Sequence, residues 1–302
     1  MMSRELGRHR ACGKLILMGE HFVVHGAPAL ALPVTQLHTE AVALHDETLD
    51  APRLISDVPV ALRATAEQML QRALQLLPLD LPLRMEVRST LPLGCGLGSS
   101  ASFAAAMVGA LAQAVGRRLT LEQHNELAHA LEHVVHGTPS GIDNTTITHR
   151  RPVWFVRGEP VQLLDGPGTL QLVLASTGQP GSTREAVAGV AALRQAEPAR
   201  FEALNQRACE LVWQGRQAFL EGDGPTLGRL MDENHTLLQQ VGVSTRRLDD
   251  LARAARAAGA LGAKLTGGGR GGFVVALVQD DGSSVERATR EAGATQTLRV
   301  GA

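Results

Sequence analysis

The chain has 302 residues, 44% hydrophobic and 20% charged, with a formal net charge of −1; that length allows one large or two modest domains. The near-neutral charge and the lack of tyrosine give no basis for a nucleic-acid or membrane partner, and no run reaches the ~18 apolar residues that span a bilayer. Cys12, Cys95 and Cys209 are odd in number, far apart and form no Cys-x-x-Cys pair, which argues against a disulfide framework or zinc site and fits a reducing cytoplasm.

Residues 1–13 are polar and basic and lack the apolar core of a signal segment. Residues 15–18 read as a short buried strand, and 22–24 as an apolar patch after a Gly-Glu-His turn. Residues 30–42 alternate loosely, as in a strand. Leu62, Ala66, Met69, Leu70, Ala73 and Leu77 have helical spacing and stop before Pro78. Residues 83–88 alternate with period two, which predicts a half-buried strand. Residues 101–115 are almost wholly apolar, so the helix they predict is buried on every side. Thr120 and Gln123 form a cap-like pair at the start of a helix over 120–135. Turn residues at 157–168 mark a break, dividing the chain into 1–165 and 166–302. Beyond it come a buried strand at 170–175 and amphipathic helices at 184–194, 201–220, 226–241 and 245–258. A final strand at 273–278 follows a glycine run. Strands and helices mix without a strict βαβ repeat, which predicts an α+β architecture.

Four segments carry candidate chemistry. Pro92-Leu93-Gly94-Cys95-Gly96-Leu97-Gly98-Ser99-Ser100-Ala101 is a flexible loop opening into an apolar helix. Glycines let a backbone approach a ligand, and a helix start offers unpaired N–H groups and a positive dipole end. Together they read as a phosphate site. The spacing matches neither a Walker A loop nor a Gly-x-Gly-x-x-Gly fingerprint; a serine-capped turn without a ligand is the plain alternative. Lys14 stands beside a buried strand, where its charge must meet an anion or reach water. Glu20-His21 follows on a turn that solvent alone could satisfy. Glu132 and Asp143 flank a Pro-Ser-Gly turn, so they could supply a metal ligand and a group for a substrate hydroxyl. A helix cap followed by an Asx turn explains them equally well. Gly267 to Gly272 holds five glycines in six residues, more than a tight turn needs. It predicts close approach to a ligand or to another loop.

Three strings together resemble the motifs of the GHMP kinase superfamily. They are Lys14 with Gly19-Glu20-His21, Pro92 through Ala101, and Lys264-Leu265-Thr266-Gly267-Gly268-Gly269. The resemblance runs from about Cys12 to about Val278. Within the superfamily, Gly19-Glu20-His21-Phe22-Val23-Val24-His25-Gly26, His136 through Asn144 and Pro180-Gly181-Ser182-Thr183-Arg184 are most similar to the branch acting on mevalonate. The resemblance implies a two-domain α+β fold. Its first domain is of the ribosomal protein S5 domain 2-like type, its second is ferredoxin-like α/β, and the active site lies in the interdomain cleft. The implied reaction is ATP-dependent phosphorylation of the C5 hydroxyl of (R)-mevalonate, an early step of isoprenoid synthesis.

By the same resemblance Asp143 is the catalytic carboxylate, and Lys14 lies beside it and the γ-phosphate. Pro92, Gly94, Cys95, Gly96, Leu97, Gly98, Ser99, Ser100 and Ala101 wrap the ATP phosphates. Ser100 or Ser99, with Glu132, holds Mg2+; His21, Thr183 and Gly268 contact mevalonate. A homodimer in the cytoplasm is also implied, with no nucleic-acid or membrane partner. Arg270 interrupts a third motif that in the family usually reads Gly-Ala-Gly-Gly-Gly-Gly, and Phe103 stands where tyrosine is common. The alternatives are another small-alcohol kinase acting on phosphomevalonate or homoserine, and a nucleotide-binding sensor without turnover.

Overall fold

A computed structural model describes residues 4–92, 94–137, 139–166, 168, 170–181 and 183–302, the side chain of Thr183 excepted. In chain order the elements begin with β1 (Arg4–Met18), a 3-10 turn (Phe22–His25), β2 (Ala29–His45) and β3 (Arg53–Ser56). Then come α1 (Arg63–Leu76), β4 (Leu83–Ser89), α2 (Ser99–Ala114), α3 (Leu121–His136), α4 (Ile142–His149), β5 (Val153–Phe155) and β6 (Gln162–Leu163). The chain ends with β7 (Gln171–Ser176), α5 (Thr183–Ala196), α6 (Pro198–Glu221), α7 (Gly224–Gln240), α8 (Arg246–Ala257), β8 (Gly262–Thr266), β9 (Phe273–Val278), α9 (Ser283–Glu291) and β10 (Gln296–Gly301). The α+β class read from the sequence holds.

The chain forms two compact units, neither continuous in sequence. One comprises residues 1–13, 36–92 and 98–150; the other 14–35, 93–97 and 151–302. The loop singled out above is therefore shared, Gly94 and Gly96 in the second unit and Gly98, Ser99 and Ser100 in the first.

In the first unit β4 pairs antiparallel with β2 over Thr39–His45 and parallel with β3. α1 packs on β3, α2 packs on β4, and α3 and α4 pack on α2, which lies at the heart of this core. Every residue of α2 from Ala101 to Ala112 is buried, in keeping with its almost wholly apolar composition. The one hydroxyl inside that run, Ser102, donates to the Ala11 carbonyl at 3.0 Å, so it is not left unsatisfied. The expected cap of α3 is present in full. Thr120 Oγ1 accepts from the Gln123 N–H, and the Gln123 side chain accepts from the Thr120 N–H.

In the second unit four antiparallel strands run in the order β10-β7-β9-β8. β9 is buried along its whole length, in keeping with its run of Phe, Val, Ala and Leu. β7 pairs over six residues with both β9 and β10. The helix α7 and strand β8 meet backbone to backbone. A Cβ on Gly228 would stand 2.2 Å from the Leu261 carbonyl oxygen, so this crossing needs glycine. No helix among the described residues is long and apolar enough to cross a membrane.

Candidate active site

Helix α2 begins at Ser99 behind Gly98, whose φ of 74° turns the loop into the helix; the Ser102 N–H then bonds the Gly98 carbonyl at 2.9 Å. Ser100 sits one step into the first turn. Its hydroxyl donates to Oε1 of Glu132 on α3 at 2.5 Å. Glu132 is only 3% exposed, so α2 and α3 bring a hydroxyl and a buried carboxylate to one point at a helix N-terminus. His136, one turn on, has Nε2 3.8 Å from the second carboxylate oxygen. The two serines, equivalent in the sequence, are thus separated by the fold: Ser100 is the one aimed at Glu132.

Asp143 lies in the first turn of α4, which starts behind Gly141 at φ 88°. The sequence reading made this segment a turn. It continues as a helix because its polar side chains bond locally and to α3. Thr146 and Thr148 donate to carbonyls four residues back. Asn144 donates to the Asn125 carboxamide oxygen at 2.6 Å and accepts from His129 at 3.2 Å. This network fixes the turn that carries Asp143 against the helix that carries Glu132. Thr138, in the string between them, lies outside the described residues.

In the second unit Lys14 is 3% exposed on β1, and its N–H donates to the Leu97 carbonyl at 3.0 Å. That bond ties the lysine strand to the glycine half of the loop. Gly96 and Gly267 press together: a Cβ on Gly96 would stand 2.6 Å from the Gly267 Cα, and both have positive φ. The excess glycine of the third motif therefore serves loop-on-loop contact. Arg270, its interrupting residue, takes φ 55°, and its guanidinium lies 3.9 Å from Glu185 and is 40% exposed. Cys95 lies beside this contact, and burial pushes its thiol pKa up.

His21 has φ 62°, a backbone state rare outside glycine and often found at functional positions. Its Nε2 is 3.1 Å from the Gly268 carbonyl. A carbonyl only accepts, so Nε2 carries the proton. Burial lowers the His21 pKa to about 4, so at neutral pH the ring is uncharged and Nδ1 is an acceptor. The Thr183 side chain and Ser182 lie outside the described residues. Gly268 is placed by this histidine bond.

The sequence reading missed a buried ion pair in this unit. Lys264, fully buried on β8, donates from Nζ to Glu20 Oε1 and to its neighbour's carbonyl, Leu265, at 2.7 Å. A lysine inside an otherwise apolar strand carried the same signal that marked Lys14, but its partner is 244 residues away and no local pattern names it.

The descriptions "GHMP kinases N terminal domain" and "GHMP kinases C terminal" match residues 58–150 and 216–295. A curated mevalonate kinase from Thermococcus gammatolerans is 34% identical over 95% of this chain and 94% of its own length. The chain belongs to the GHMP kinase family. Another relative, the mevalonate kinase of Pyrococcus horikoshii, is 33% identical over 94% of this chain and 92% of its own. Among solved structures, L. major mevalonate kinase in complex with R-mevalonate matches with a TM-score of 0.89 and 32% identity. It covers 99% of this chain and 98% of that one. As a GHMP kinase, the chain is an ATP-dependent phosphotransferase.

Proposed function

We propose that this chain transfers the γ-phosphoryl group of ATP to the C5 hydroxyl of (R)-mevalonate, giving 5-phosphomevalonate and ADP. The observation that carries the reading is the likeness, at 32% identity and near-complete coverage, to a kinase solved with R-mevalonate. In phosphoryl transfer, positioning and charge stabilisation do most of the catalysis. Asp143 takes or orients the proton of the attacking hydroxyl. Lys14 offsets charge on the γ-phosphoryl oxygens as the bond to ADP breaks. Pro92 and residues 94–101 wrap the phosphates, the latter with backbone N–H groups. His21, as a neutral ring, offers Nδ1 to a substrate hydroxyl, and Gly268 and Thr183 complete that pocket.

The donor set at Ser100 and Glu132 fits Mg2+. It is hard oxygen only, one carboxylate and one hydroxyl, and Mg2+ in such sites takes its other ligands from phosphate and water. Ser100 and Glu132 would be the protein's share of its ligands. When bound, the ion neutralises charge on the phosphate oxygens. Residues 1–165 as the ATP-binding half, residues 166–302 as the C-terminal half, a homodimeric assembly and a cytoplasmic location belong to the same reading.

A coupled ADP-release assay over mevalonate, phosphomevalonate, homoserine and galactose tests it. Turnover with mevalonate alone is expected; turnover only with another alcohol, or ATP binding without turnover, overturns it. Asp143→Ala should lower kcat by roughly 10²–10⁴-fold while keeping ATP binding.

A further inference from the structure

Strand β3 stands at the end of the sheet order β3-β4-β2-β5-β6. β4 runs parallel along one of its edges, with Arg53 opposite Arg84 and Ser56 opposite Val87. Along the other edge no strand is paired among the described residues. An open edge is a template for another chain unless it is blunted or covered. Helix α1 does not close this one. A groove of about 660 Å3 lies between β3 and α1, with Leu54, Ile55, Leu70 and Leu74 in its walls. Apolar side chains also stand out beside the edge. Ile55 is 45% exposed, and Val60 and Leu62 of the following 3-10 turn are 73% and 45% exposed.

The pattern of the strand names what would pair with it. Successive side chains point to opposite faces. Leu54 packs on the core of the first unit, so Arg53 and Ile55 lie on the other, exposed face, and the alternation continues to Asp57, also exposed. This face therefore reads cation, apolar, anion, which is complementary to its own reverse. An antiparallel copy centred on Ile55 sets Arg53 opposite Asp57, Ile55 opposite Ile55, and Asp57 opposite Arg53. Directly opposed pairs of this kind stabilise a sheet. Neither charge has an ion-pair partner in its own chain among the described residues. Arg53 is instead in register beside a second cation, Arg84, which already holds Asp46 at 2.8 Å and Glu86 at 3.1 Å. A carboxylate on the open side of Arg53 offsets a charge that its own sheet does not. Asp57 accepts from the Ser89 N–H at 3.3 Å through Oδ2, a contact to neutral backbone.

We infer that the open edge of β3 is a homodimer interface, in which two copies of this chain join β3 to β3, antiparallel, about a two-fold axis at Ile55. Such a contact uses the same patch on both copies and consumes both open edges, so it closes at two. It rests on the homodimeric assembly in the reading above and not on which alcohol the enzyme phosphorylates. It gives that assembly a face and a register.

Sedimentation velocity over roughly 1–100 µM protein tests it, with thermal melting recorded for every variant. Wild type should dimerise. Ile55→Lys, which sets two like charges together on the axis, should raise the dimer dissociation constant about tenfold or more. Arg53→Asp and Asp57→Arg should each do the same, because each turns two opposite-charge pairs into like-charge pairs. The double variant R53D/D57R restores opposite charges in reversed order and should return to within about threefold of wild type. Loss of folding would not be rescued in this way. A second measurement fixes the register: mild oxidation of Ile55→Cys should give a disulfide-linked dimer, since the two cysteines face each other across the axis. Leu62→Cys, equally exposed but off the axis, should not, and wild type, with its own three cysteines, is the blank. A wild type that stays monomeric throughout ends the homodimer and this face with it. A dimer that the variants do not weaken keeps the homodimer but overturns this face. A double variant no better than the single ones, or Ile55→Cys that does not cross-link, overturns the pairing. Turnover with mevalonate, assayed separately, decides the reaction and leaves this result untouched.

Discussion

Gly96→Ala tests whether the glycine loops are shaped by contact with each other. The added Cβ would lie 2.6 Å from the Gly267 Cα and 3.4 Å from the Thr266 carbonyl oxygen, at φ +80°. Both obstacles are backbone, so neither can swing aside as a side chain would. Two costs add. Placing an L side chain in left-handed backbone costs about 1–2 kcal/mol, and forcing a methyl into a filled space costs a further ~1–3 kcal/mol. Gly116→Ala isolates the first, because Gly116 has φ +67° and open space around its missing Cβ. Gly116→Ala should therefore destabilise by about 1–2 kcal/mol, and Gly96→Ala by about 2–5 kcal/mol. Unfolding in urea measures the difference, and ATP titration reads the loop directly. Gly96→Ala should weaken ATP binding and Gly116→Ala should not. Equal destabilisation by the two variants, or unchanged ATP affinity in Gly96→Ala, would refute the loop-on-loop account.

Ser100→Ala should lower the apparent affinity for Mg2+ by about 10–100-fold, whereas Ser99→Ala should change it little. Magnesium titrations of kcat/KM check this, and equal effects would remove the Ser100–Glu132 pair from the metal site. Stability should fall as pH drops from about 6.5 to 4. Burial lowers His9, His21 and His235 each to about 4, so between those pH values the unfolded chain binds more protons than the folded one. The stabilisation is complete above the ordinary histidine pKa and is lost as pH approaches the lowered value. Calorimetric melting from pH 7 to 4 measures it; a flat profile over that range would contradict the burial of these rings.

Much of the site was legible because its chemistry is local. A loop of Gly94, Gly96 and Gly98 before Ser99 and Ser100 announces a helix N-terminus by composition alone. Thr120 and Gln123 state their cap in four residues. The apolar run of α2 declares its own burial. Other elements were not legible for equally physical reasons. β1 extends back to Arg4 through residues too polar to show a strand, and its exposed arginines are held by cross-strand ion pairs such as Arg10 to Glu40 at 2.7 Å. α4 hides in a stretch of Asp, Asn and Thr, residues that usually favour turns over helices. β10 has no clear pattern of its own and is defined by its pairing with β7, more than a hundred residues earlier.

What the sequence marked by itself was a set of candidate groups: Lys14, Glu132, Asp143 and a glycine-serine loop, whose proposed roles come from the resemblance to GHMP kinases. Only the tertiary structure decided how they are held. It chose Ser100 over Ser99 by aiming it at Glu132. It pressed Gly267 of the third motif onto Gly96, and it joined Glu20, on the turn after β1, to Lys264 inside a buried strand. These are pairings between residues far apart in the chain. A local pattern fixes the conformation of a segment, but which segment lies against it is set by packing of the whole unit, and that is where the charges and close backbone contacts of this kinase are resolved.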